Sequence, residues 1–175
     1  MGQLDQKWDT IMSYFFDSPS RSYQIRELAR LTKIPKTTLS KYMQKLLSQR
    51  LILKEKKGLF YSYKSNNSDF YYRFYKRMWI IEKIYRSGLV SFLEETLYPE
   101  VIFLFGSAAK GEFVKESDLD IFVLAPEKKI DLKMFERKLG KKINLLFKDK
   151  FTNLSLELSN NIINGHKLSG HLKLR

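Results

Sequence analysis

Residues 6 to 16, QKWDTIMSYFF, put Trp8, Ile11, Met12, Phe15 and Phe16 at helical spacing, and the DSPS that follows stops that helix. In the next stretch, SYQIRELARLTKIPKTTLSKYMQKLLSQR, Ser22 reads as the cap of a short helix whose Ile25, Leu28, Ala29 and Leu31 face inward. TKIP makes a tight turn. Pro35 suits the opening of a second helix, where its missing N–H costs little. That helix buries Leu39, Tyr42, Met43, Leu46 and Leu47 and leaves Lys36, Thr37, Thr38, Ser40, Lys41 and Lys45 in solvent. LILKEKK and LFYSYK then alternate as strands do, predicting a hairpin with a basic tip around Lys57-Gly58.

From residue 66 the period returns to that of a helix. Ser68 and Asp69 are good caps, and FYYRFYKRMWIIEKIYRS runs on without glycine or proline. Phe70, Tyr71, Phe74, Tyr75, Met78, Trp79, Ile81, Ile84 and Tyr85 cover most of its circumference, which predicts a helix buried on more than one side. GLVSFLEETLYPE reads as an amphipathic helix ended by Pro99. VIFLF and IFVL are apolar runs of strand length, DLKMFERKL a helix, KKINLLF a strand, and LELSNNIINGHKLSG a closing helix and turn. The predicted class is α/β (α+β) in three parts: residues 1–66, a helical connector at 67–87, and a mixed sheet with helices at 88–175.

Charge sharpens the picture unevenly. The chain of 175 residues carries a formal net charge of +13. Residues 1–66 hold thirteen basic and five acidic residues, whereas 67–98 hold five and four. A polyanionic partner is therefore expected at the N-terminal third, since phosphate neutralisation is the main sequence-independent term in nucleic-acid affinity. The competing reading is a lysine-rich proteome that makes every protein basic. Cysteine is absent, which excludes disulfides and thiolate metal sites. The opening residues lack the order of a signal peptide, and no apolar run nears the roughly 18 residues of a membrane span, so a cytoplasmic protein with no membrane partner is expected.

Two helices across a short turn, followed by a basic hairpin, resemble the winged helix-turn-helix domain of archaeal and bacterial transcription regulators over about residues 5 to 66. The resemblance implies double-stranded DNA as partner, with Lys36, Thr37, Thr38, Ser40, Lys41 and Lys45 on the recognition helix and Lys54, Lys56 and Lys57 on the wing. A homodimer through the aromatic connector would space two such helices for a palindromic site. Stacking of its aromatics on single-stranded bases is the weaker alternative, because helical packing already accounts for them.

FGSAAKGEFVKESDLDIFVL, residues 105 to 124, carries the chemistry. Asp118 and Asp120 stand one residue apart, and in a strand they would point to one side, where two carboxylates can share Mg²⁺. Gly106 lets the backbone approach phosphate, and Ser107 can hold a triphosphate with nearby amides. Strand, Gly-Ser, glycine, then Asp-x-Asp is similar to the minimal nucleotidyltransferase domains of the DNA polymerase beta-like enzymes, over about residues 88 to 171. That likeness implies nucleotide binding by Gly106, Ser107, Gly111 and Ser117, metal binding and catalysis by Asp118 and Asp120, and Mg²⁺ with ATP or another NTP.

Catalytic members of that family carry a third carboxylate on a later strand, and the position aligned with it is Asn144. An amide brings no negative charge and cannot accept a proton at neutral pH. Asp149, Asp131, Glu136 and Glu112 are the acids that could substitute. His166 and His171 lack a third ligand and read as ordinary turn histidines, with Lys167 in that turn able to touch phosphate. Two functions follow. One is a DNA-binding regulator whose second domain binds Mg-nucleotide. The other is an active transferase moving NMP to a protein or small molecule, antitoxin-like, beside a small helical partner protein.

Overall fold

The computed structural model describes residues 5–173, Lys57 by its backbone alone. The chain divides into two compact units between Tyr75 and Lys76.

The first unit starts with α1, Gln6–Asp17, which buries Ile11, Met12, Phe15 and Phe16 and is capped by the Asp5 carboxylate on the Lys7 N–H. β1, Ser22–Gln24, follows, so Ser22 pairs in a sheet and does not cap a helix. The next helix, α2, Ile25–Thr32, is capped by Gln24, whose N–H donates to Glu27 Oε2 at 3.4 Å. Long-range pairing of Ser22 with Lys64 outweighed its local capping preference. Leu28 and Thr32 are the buried residues of α2, while Leu31, expected inside, is exposed.

A three-residue link, Lys33-Ile34-Pro35, leads to α3, Lys36–Ser48, which buries Leu39, Met43 and Leu46. β2, Ile52–Lys57, and β3, Phe60–Ser65, form an antiparallel hairpin, and the sheet order is β1-β3-β2. The two turn residues are Gly58 and Leu59, and Gly58 takes φ 63°, which glycine adopts at little cost. Helix α4, Phe70–Ser87, is capped by Asp69 on the Tyr71 N–H. Its Tyr72 is buried against Phe16, and the hydroxyl donates to Phe15 O at 2.7 Å. Burial pushes that phenol's pKa upward.

The expectation that α4 is buried nearly all round fails over its first turns. Phe70, Tyr71, Phe74 and Tyr75 are exposed, and Phe70 and Phe74 stack on one another. Farther along, Lys76, Trp79, Ile80, Ile81 and Ile84 are buried.

The second unit is built on a four-stranded sheet of order β6-β5-β4-β7. After α5, Leu89–Leu97, the chain forms β4, Val101–Phe105, then α6, Gly106–Lys110, and β5, Leu119–Leu124. Helix α7, Lys133–Leu139, makes the crossover to β6, Ile143–Lys148, which runs parallel to β5; the other pairs are antiparallel. A 3-10 turn, Phe151–Asn153, precedes α8, Leu156–Ile163, and the chain ends its sheet with β7, His166–Gly170.

One sheet face presents Val101, Phe103, Phe122 and Leu124, packed with Ile162 and flanked by Phe105, Leu146, Phe151 and Leu158. The other presents Ile102, Leu104, Ile121 and Val123, also buried. At about 1.5–3 kcal/mol per large apolar side chain, this two-sided burial holds β5 rigidly, and β5 positions the site. HKLSG, read as a turn, is therefore a strand paired with β4. Gly165 allows it: any side chain there would run into the Leu104 carbonyl. No helix among the described residues is long and apolar enough to cross a membrane.

Candidate nucleotide and metal site

Three strands bring one residue each to the same level of the sheet. Phe105 of β4 pairs with Asp120 of β5, and Asp120 pairs with Asn144 of β6. Asp120 is thus flanked on both sides. Its Oδ1 accepts a hydrogen bond from Asn144 Nδ2 at 3.2 Å, and its Oδ2 lies 2.6 Å from where a Cβ on Gly106 would stand. Gly106 also has φ 70°, so glycine is required there twice over, by conformation and by the carboxylate against it.

Asp118 stands just before β5, exposed, and the intervening Leu119 is fully buried. Asp118 thus lies one residue outside the strand and two positions before Asp120. The loop that delivers it is tightly held. Ser117 Oγ accepts from Val114 N–H at 2.9 Å while Ser117 N–H donates to Val114 O at 3.0 Å, so this hydroxyl, expected on a nucleotide, closes a turn. Leu119 N–H donates to Lys142 O at 2.8 Å. Beneath the loop, Phe113 is fully buried and stacks on Trp79, with Lys76 Nζ 4.5 Å and Lys141 Nζ 4.9 Å from its ring. Lys141, 7% exposed, donates to Val114 O at 2.7 Å and Lys115 O at 3.1 Å.

Ser107 begins α6 directly after Gly106, and its hydroxyl has no hydrogen-bond partner among the described residues. Gly111 ends the helix with φ 73°. The expected nucleotide residues thus divide: Gly106 and Ser107 lie beside Asp120 in the fold, Gly111 terminates the short helix, and Ser117 secures the loop.

No candidate for a third acid joins them, for among the described residues no cluster of three His, Cys, Asp or Glu side chains exists. Asp131 accepts from Lys133 N–H and Glu136 from Ile143 N–H, so both serve α7 and its exit. Asp149 lies exposed beyond β6, and Glu112 is exposed after Gly111. His166, placed in β7, has a pKa lowered by burial and secondarily by Arg77.

The donor set fits one hard divalent cation. Mg²⁺ is commonly held by one or two carboxylates, with substrate phosphates and water completing its shell, and Asp118 and Asp120 are the two carboxylates that could hold it here. The Asn144 amide directs an N–H at Asp120, adding a donor where a further anionic oxygen would strengthen the site.

Sequence reasoning missed Lys141, Lys76 and Phe113, which shape the loop before Asp118. A buried lysine leaves no periodic signature, and the adjacent Lys-Lys pair reads as a solvated turn. The Asp-x-Asp pair was visible because a two-residue spacing next to an apolar strand is geometric information in itself.

A mixed sheet with a Gly-Ser turn against one carboxylate and a second carboxylate two residues earlier is an α+β nucleotidyltransferase-like fold. Residues 86–168 match the family described as nucleotidyltransferase domain. Neither a curated protein nor a solved structure matches the chain.

Proposed function

We propose that the protein is a DNA-binding regulator whose second unit holds a Mg-nucleotide without turning it over. The observation that carries the nucleotide part is the Asn144 amide bonded to Asp120, at the level of the sheet where a catalytic acid would sit. Mg²⁺, held by Asp118 and Asp120, would screen the charge of the nucleotide phosphates. The chain's own part is to present two carboxylates, a Gly-Ser turn that admits phosphate, and a hydroxyl left available on Ser107. The side chain bonded to Asp120 is the Asn144 amide, which cannot serve as a general base.

The DNA part is a winged helix-turn-helix reading of residues 1–66. It is supported by α2 and α3 meeting across a three-residue link, and by Lys36, Thr37, Lys41 and Lys45 lying exposed on α3. Thr38 and Ser40 are half-buried, and the Ser40 hydroxyl donates to Lys36 O, which leaves it less able to read a base. Lys54 and Lys56 are exposed on the hairpin, Lys54 lying over the Tyr61 ring; the Lys57 side chain lies outside the described residues. The exposed Phe70 and Phe74 of α4 support a homodimer, with a small helical partner protein as the other occupant of that face.

Calorimetry with ATP and Mg²⁺ tests the nucleotide reading. Binding by the wild type and its loss in Asp118→Ala/Asp120→Ala is the expected outcome; equal heats from both would sink it. The intact carboxylate pair favours a second reading, an active transferase. Transfer of label from α-labelled ATP to any acceptor would establish that reading against ours.

A further inference from the structure

A shallow cleft of about 570 Å³, widely open to solvent, lies in the second unit, lined by Lys133, Glu136, Arg137, Gly140, Lys141 and Lys142. Its size falls within the range of small-molecule sites, roughly 300–1,000 Å³. Four of the six residues are cations. The single acid is already engaged, since Glu136 Oε1 accepts from Ile143 N–H at 3.1 Å. Lys141 is engaged as well, its ammonium buried on the carbonyls of Val114 and Lys115.

Lys133, Arg137 and Lys142 remain exposed, and among the described residues none of them joins an ion pair. Lys133 and Arg137 stand four apart on α7, hence on one face, and Arg137 Nε donates to Lys133 O at 3.2 Å, which leaves its two terminal nitrogens for a ligand. Lys142 precedes β6 by one residue, as Asp118 precedes β5 by one, and the register pairs Leu119 with Ile143. The cleft wall is therefore hydrogen-bonded to the residue between the two aspartates, through Leu119 N–H on Lys142 O.

Against these three cations Glu136 supplies a single negative charge, so the lining stays net positive, and the buried Lys141 ammonium beneath adds to that potential. Arginine's planar fork with two lysine point charges matches phosphate oxygens. We infer that this cleft binds a phosphate-bearing anion without divalent metal, as a second ligand beside the carboxylate pair. The inference does not depend on the Mg-nucleotide reading, because its ligand needs neither Mg²⁺ nor Gly106.

Amide shifts of the full-length, ¹⁵N-labelled protein in EDTA test it, with inorganic pyrophosphate and a 5′-phosphorylated tetrathymidylate as probes. Gly140, Lys142 and Ile143 amides should move, and Arg137→Gln and Lys142→Gln should each weaken binding at least fivefold with unchanged melting temperature. Shifts with pyrophosphate identify a small phosphorylated ligand; shifts with the oligonucleotide alone identify a nucleic-acid end. No shift at these amides with either probe overturns the inference. So does an equal effect from sulfate, or affinity in both variants within twofold of wild type. Gly106 and Ser107 amides, read with Mg-ATP, report separately on the nucleotide site.

Discussion

At the scale of single residues, the site turns on what surrounds Asp120. Gly106→Ala would set a Cβ 2.6 Å from Asp120 Oδ2 at a backbone with φ 70°. The left-handed conformation alone costs a non-glycine residue about 1–2 kcal/mol. Denaturant melts should show a loss of that order, and calorimetry should show Mg-ATP binding abolished, because the carboxylate must move. A variant that binds as wild type would mean Asp120 is not a ligand. Asn144→Asp makes the complementary prediction. It removes the N–H held at Asp120 and adds an anion, so Mg²⁺ affinity should rise at least tenfold while metal-free stability falls, two carboxylates at hydrogen-bond distance being mutually repulsive. Titration with Mg²⁺ followed by melting temperature checks both signs. The Asp-x-Asp spacing was legible because residues alternate across a strand. Asn144 was singled out by resemblance to a family, and its pairing with Asp120 is a matter of register that only the structure gives. The engagement of Ser117 was not legible, because whether a hydroxyl faces a ligand or its own turn depends on loop geometry that spacing does not encode.

At the scale of elements, β7 is the instructive strand. HKLSG has one buried apolar residue, Leu168, and no apolar run to announce a strand; pairing with β4 and the missing side chain at Gly165 create it. β1 is similar, three residues held by β3 where local preference favoured a cap. By contrast β4, β5, α1 and α3 were visible from periodicity, since each buries a continuous apolar face. β7 also carries a pH dependence. His166 is held below its ordinary pKa, first by burial and then by Arg77. The unfolded chain then binds a proton that the fold resists, so this group's contribution to stability is complete above the unfolded histidine pKa of about 6.5 and is lost as pH falls below it. Urea melts between pH 7.5 and 5.5 should show stability declining toward acid, and His166→Gln should flatten that decline. An unchanged profile in the variant would assign the acid sensitivity elsewhere.

At the scale of the whole molecule, the +13 charge is the property that composition announced and the fold distributes. Thirteen of its cations lie in residues 1–66, and Lys36, Lys41 and Lys45 are each exposed on α3. If that helix meets DNA, each phosphate neutralised releases condensed counterions, and the logarithm of affinity falls with the logarithm of salt by about 0.9 per contact. Replacing Lys36 with Gln should lower the slope by about one, with affinity weakened similarly across unrelated sequences. Asp118→Ala/Asp120→Ala should leave the slope unaltered, because on the proposed reading those carboxylates serve a different ligand. Fluorescence anisotropy with a labelled duplex at several salt concentrations measures every term. A steep slope that survives loss of Lys36, Lys41 and Lys45 together would reduce the basic surface of α3 to a solvated coat. Adding Mg-ATP at constant ionic strength extends the same experiment: a change in DNA affinity must be matched by an equal factor in ATP affinity when DNA is added, since coupling between two ligands is reciprocal. Equal DNA affinity with and without saturating Mg-ATP would leave two independent binding functions on one chain, and a regulator that senses nucleotide would be ruled out.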